Sequence, residues 1–97
     1  MTDSKSDPRF LANPDVVLRE EDPDGGLLFN PDTNDVKVIN ETGIVIWKNC
    51  QTARTLKEII DGLKEHFEQI PADEVARDTR DFLDQLVRSG FIGEVMD

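Results

Sequence analysis

Cysteine and histidine are almost absent from this chain of 97 residues, which has one of each, Cys50 and His66. A single cysteine excludes an intramolecular disulfide and fits a reducing compartment. Together the two residues cannot supply the ligand set of a clustered zinc site. Long apolar runs are also missing, and none approaches the roughly 18 residues a membrane span needs. Met1 to Pro8 is polar and has no apolar stretch, so no secretory signal is expected there, and the chain reads as a soluble cytoplasmic domain. Basic residues are few, 11 Lys and Arg against 21 Asp and Glu, for a formal net charge of -10. Such a charge repels nucleic acid and anionic lipid and favours basic partners or basic peptide segments.

What is present fits one domain. Residues 1–13 read as a flexible polar tail in which Phe10-Leu11 is the only apolar pair and a candidate to dock on the domain; residues 14–93 read as the domain and 94–97 as a frayed end. Asp15 to Glu20, Leu27 to Phe29 and Val36 to Ile39 have the β-prone composition of short strands. The segments between them, Glu21 to Gly26 and Asn30 to Asp35, are rich in Pro, Asp, Asn and Gly, the residues of tight turns. Three strands so joined make an antiparallel meander.

The period then changes. Asn40 is a good N-cap and Glu41 complements the helix dipole, so a first helix is expected over Glu41 to Asn49. Thr55-Leu56-Lys57-Glu58 matches a capping box, and Leu56, Ile59, Ile60, Leu63 and Phe67 then recur at helical spacing. Pro71 with Asp73 and Glu74 opens a third helix whose apolar stripe is Val75, Thr79, Phe82, Leu83 and Leu86; Gly90 ends it, and Phe91-Ile92 folds back as an apolar cover. The order is βββααα, an α+β domain with one three-stranded antiparallel sheet followed by three helices.

Catalytic chemistry finds no footing. There is no glycine-rich phosphate loop. His66 lies on the polar side of the second helix without a partner to make it a base. Cys50 reads as a small buried hydrophobe and not a nucleophile, and Trp47 as a core anchor. The acids from Glu20 to Asp24 lack the alternating ligand spacing of a calcium loop and read as a solvated turn. Catalytic residues, metal ligands and cofactors are therefore expected to be none. Three helices beside a small sheet also describe a winged helix, but a recognition helix beginning Asp73-Glu74-Val75-Ala76-Arg77-Asp78 would meet phosphate repulsion.

Peptide binding remains. Val36 to Ile39 stops abruptly at a helix cap, as strands at a sheet edge do. An open edge can accept an extended peptide, with main-chain bonds giving affinity and pockets giving specificity. The third helix is placed to flank it, although Phe82, Leu83 and Leu86 taken alone suit the core equally well.

Three stretches together carry a family resemblance. The first is Val36-Lys37-Val38-Ile39-Asn40-Glu41-Thr42 followed by Ile46-Trp47-Lys48. The second is Thr55-Leu56-Lys57-Glu58-Ile59-Ile60. The third runs from Val75 through Asp78-Thr79 and Phe82-Leu83-Asp84-Gln85-Leu86 to Ser89-Gly90-Phe91-Ile92. In this order and spacing the chain resembles the PqqD family, pyrroloquinoline-quinone biosynthesis protein D and its relatives, whose shared domain is the RiPP recognition element. The resemblance spans about Pro14 to Ile92. It implies a winged-helix-like βββααα domain that binds the leader of a ribosomally synthesised precursor peptide and presents it to a modifying enzyme, typically a radical S-adenosylmethionine (SAM) protein. The implied peptide site is Val36, Lys37, Val38 and Ile39, with Phe82, Leu83 and Leu86 shaping a groove and Asp78 and Thr79 at its rim. The alternatives are a winged-helix DNA-binding regulator and a subunit that docks a protein partner without a peptide.

Overall fold

Asn40 ends a strand and starts a helix in one residue: its side-chain Oδ1 accepts from the Gly43 N–H at 2.9 Å. This junction organises the computed structural model, which describes residues 8–22, 25–67 and 71–95. In chain order the elements are β1 (Arg9–Ala12), β2 (Val17–Asp22), β3 (Gly25–Asn30), β4 (Asp35–Asn40), α1 (Glu41–Asn49), β5 (Arg54–Thr55), α2 (Leu56–His66), α3 (Ala72–Arg88) and β6 (Ile92–Val95).

The expected meander is β2-β3-β4, antiparallel throughout. Its first strand starts two residues later than the composition suggested, because Pro14 and Asp15 form a turn: Asn13 accepts from the Asp15 N–H with its side chain at 3.0 Å and from the Val16 N–H with its carbonyl at 3.1 Å. Gly25 and Gly26, expected in the turn, belong to β3. A Cβ on Gly26 would sit 2.5 Å from the Arg19 carbonyl oxygen, so glycine is required where β2 presses against β3 beside a shift in register. The β3–β4 turn is closed by Asn34, at φ 64, whose N–H donates to the Asn30 carbonyl at 2.7 Å.

The α+β class holds, but one sheet does not account for the chain. A second antiparallel sheet, in the order β5-β1-β6, joins residues from both ends. Arg9–Ala12, inside the stretch read as a tail, pairs with Ile92–Val95, and alternate burial puts Phe10 and Ala12 in the core. Phe91 and Ile92 are buried as expected, and Ile92 starts a strand. The backbone bonds Ala12 N–H to Cys50 O (2.8 Å) and Asn13 N–H to Phe91 O (2.9 Å) tie this sheet to the helices.

Helix boundaries follow the capping chemistry. Both halves of the Thr55/Glu58 capping box form. Gly90, at φ 82, closes α3 in a Schellman motif, its N–H donating to Val87 O and that of Phe91 to Leu86 O. The core lies between the inner face of β2-β3-β4 and the helices and holds Leu28, Ile39, Ile46, Trp47, Ile59, Leu63, Leu83, Leu86 and Phe91. Among the described residues, no buried side-chain nitrogen or oxygen lacks a hydrogen-bond partner, and no helix is long and apolar enough to cross a membrane.

Candidate functional site

The strands at the sheet edges differ in what they offer a partner. β2 is an edge, but it carries Arg19, Glu20 and Glu21 and an irregular register, both of which discourage pairing. β5 has two residues, and β6 has four with Gly93 and Glu94 in the middle. β4 has six residues in regular register with β3 and ends its sheet, so alternate residues direct their N–H and C=O groups away from the sheet. It also runs beside the largest of the clefts found among the described residues.

That cleft, of about 630 Å³, is lined by Gly25, Lys37, Val38, Ile39 and Asn40 on the sheet side and by Phe82 and Gln85 of α3. A smaller cavity of about 180 Å³ continues past it, lined by Asn40, Thr42, Gly43 and Ile46 with Asp78, Thr79 and Phe82. Phe82 and Asn40 border both, so the Phe82 ring stands as a partition. Its edge lies over Gly43, where an added Cβ would meet the ring at 3.0 Å. Lys37 bridges the cleft, its Nζ donating to Gln85 Oε1 at 3.1 Å. Among the described residues it is the one charged residue lining the larger cleft, and its ammonium meets a neutral amide there. Asp78 places an acid at the other end.

The sequence-expected residues divide by strand alternation and helical phase. On β4, Lys37 and Ile39 face inward, Ile39 being buried, while Val36 and Val38 stand exposed on the outer face. On α3, Asp78 is exposed at the rim and Phe82 is half-buried in the cleft wall. Thr79 is buried at the back of the smaller cavity. Leu83 and Leu86, expected to shape the groove, instead have 0% exposure and sit in the core: they lie about 100° and about 40° around the helix from Phe82 in one direction, whereas Gln85 lies about 60° in the other. Gln85 takes the place expected for them. It was legible as the third member of the Asp78, Phe82, Gln85 stripe, at i, i+4 and i+7.

Groups able to do chemistry are held elsewhere or held inert. Cys50 is fully buried, and burial pushes its thiol up to about 12 against a partial offset from Arg54. His66 is half exposed, with Nε2 3.8 Å from Glu41 and its ring edge-on to Phe67. Among the described residues no group of three or more His, Cys, Asp and Glu is placed to hold a metal ion.

Comparison with known proteins places this architecture. No curated protein matches the chain. Among solved structures, TbiB1, determined in complex with the TbiA(beta) leader peptide, superposes with a TM-score of 0.73 at 24% sequence identity, covering 90% of this chain and 99% of that one. A likeness at this identity establishes a shared fold. The family model for coenzyme PQQ synthesis protein D matches residues 25–92, from the first residue of β3 to the first of β6, and the chain therefore belongs to the PqqD family.

Proposed function

We propose that this protein is a non-catalytic peptide chaperone. It binds the leader of a ribosomally synthesised precursor as an added strand beside β4 and presents the precursor to a modifying enzyme, in keeping with the family a radical SAM protein, in the cytoplasm. The observation that carries this reading is the open edge of β4 running along a cleft walled by Phe82 and Gln85. Membership of the PqqD family and the fold shared with TbiB1, which was solved with a leader peptide, support it.

In this reading the backbone of Val36 to Asn40 supplies main-chain bonds, and Phe82 supplies an apolar wall. Lys37 is released from Gln85 to meet an acid of the leader, while Asp78 and the net charge of -10 steer basic leader residues toward the site or help to dock the enzyme. The test is amide chemical-shift mapping with a synthetic leader peptide taken from a precursor reading frame sought next to the gene. Shifts confined to β4 and the Asp78–Gln85 stretch of α3 are expected; shifts clustered on β6 or α2 would rule the placement out.

A further inference from the structure

The meander has a second face. On it stand Val17 and Arg19 of β2, Leu27 and Phe29 of β3, and Val36 and Val38 of β4. The register aligns them in rows: Val17, Phe29 and Val36 in one, and Arg19, Leu27 and Val38 in the next. Val17, Val36 and Val38 are 49%, 56% and 77% exposed, and Leu27 and Phe29 are half-buried. Among the described side chains, the charged residue in these two rows is Arg19, whose guanidinium lies 3.5 Å from the Glu21 carboxylate. Single exposed valines need no explanation. Two at successive outward positions of an open edge, each beside an apolar residue of β3, are a patch with a missing neighbour.

Resting on the reading of β4 as the peptide-binding strand, we propose that Val36 and Val38 are a second recognition surface for the peptide. A strand added to β4 shares its alternation, so the residues opposite Val36 and Val38 point outward and extend the apolar pairs Phe29–Val36 and Leu27–Val38, while the residue between them points inward beside Lys37. The peptide class is therefore an extended segment with an apolar, acidic, apolar tripeptide, its apolar members β-branched or aromatic. A second copy of this chain is a poorer occupant. Each copy carries -10, and antiparallel β4–β4 pairing centred on Lys37 would set two ammonium groups side by side.

The test is selection of a random 12-residue peptide display library on the immobilised full chain, repeated with Val38→Lys, Val36→Lys and Val17→Lys. Enriched peptides are expected to share the apolar–acidic–apolar tripeptide, each apolar member improving affinity about two- to fivefold. Val38→Lys is expected to turn one flanking preference acidic and Val36→Lys the other. Val17→Lys, two strands from the edge, should change neither. Enriched peptides that compete for β4 without the alternation, or flanking preferences unmoved by both β4 variants, overturn this inference and leave the β4 reading standing. A library that yields no binder competing for β4 overturns that reading and the inference with it.

Discussion

Phe82 and Leu83 are adjacent in α3, one in the wall of the cleft and the other with no exposed surface in the core. Truncating each to alanine should therefore separate binding from stability. Leu83→Ala leaves a cavity in a fully packed site and is expected to cost about 3 kcal/mol. At roughly 4–8 °C per kcal/mol for a domain of this size, the midpoint of thermal unfolding falls by about 12–24 °C. Phe82→Ala removes a half-buried ring with solvent on one side, for a cost of about 1–2 kcal/mol. Its effect on the peptide is larger: an aromatic anchor at the centre of a site is worth about 2 kcal/mol, or about 30-fold in affinity. Trp47, the only tryptophan and buried, reports unfolding by fluorescence, and leader affinity is read by titration at a temperature where both variants are folded. Leu83→Ala should then bind within about threefold of the parent. The reasoning is refuted if Leu83→Ala abolishes binding while folded and Phe82→Ala binds as the parent does.

Asn40→Ala removes the side-chain acceptor for the Gly43 N–H and should cost about 1 kcal/mol, a fall of roughly 4–8 °C in the unfolding midpoint, with Asn40→Asp retaining most of the cap. Gly43→Ala places a Cβ 3.0 Å from both Ile39 Cβ and the Phe82 ring; a helix-propensity gain of up to about 1 kcal/mol offsets the crowding, so thermal stability changes little while displacement of the ring weakens leader binding in the same titration. Cys50 should resist alkylation in the native state at pH 8 and react at once in denaturant. Its thiol, raised to about 12 in the fold from an ordinary value of 9.0, also makes stability fall as pH rises from about 9 toward 12, because only the unfolded chain gives up the proton in that window. Urea titrations should show a slope of up to about 1.4 kcal/mol per pH unit that Cys50→Ala removes.

The helices were legible because their ends are written locally: Asn40, the Thr55/Glu58 box and Gly90 each satisfy or bend backbone within a few residues of themselves. The second sheet was not. Arg9–Ala12 has only four residues of alternation, and its pairing partner Ile92–Val95 lies at the other end of the chain, so no local pattern reports the bond between them. Gly25 and Gly26 look like turn residues in composition, and only the closeness of the Arg19 carbonyl explains why β3 needs a glycine there. For the candidate site, β4 was legible from its abrupt stop at Asn40, but the helical wall was legible only as a stripe. Periodicity groups Phe82, Leu83 and Leu86 on one broad apolar face; which side of that face meets β4 depends on how α3 packs, a contact such as Lys37 to Gln85 that spans 48 positions.

The central claim is that a leader peptide pairs with β4 as a strand. Isotope-filtered nuclear Overhauser spectroscopy on labelled protein with unlabelled leader measures this directly. The account predicts contacts from the backbone protons of Val36 to Asn40 to the peptide backbone in a regular two-residue alternation, with side-chain contacts from the Phe82 ring. A bound leader whose backbone shows no contact to β4, or whose contacts fall on β2 or β6, contradicts it.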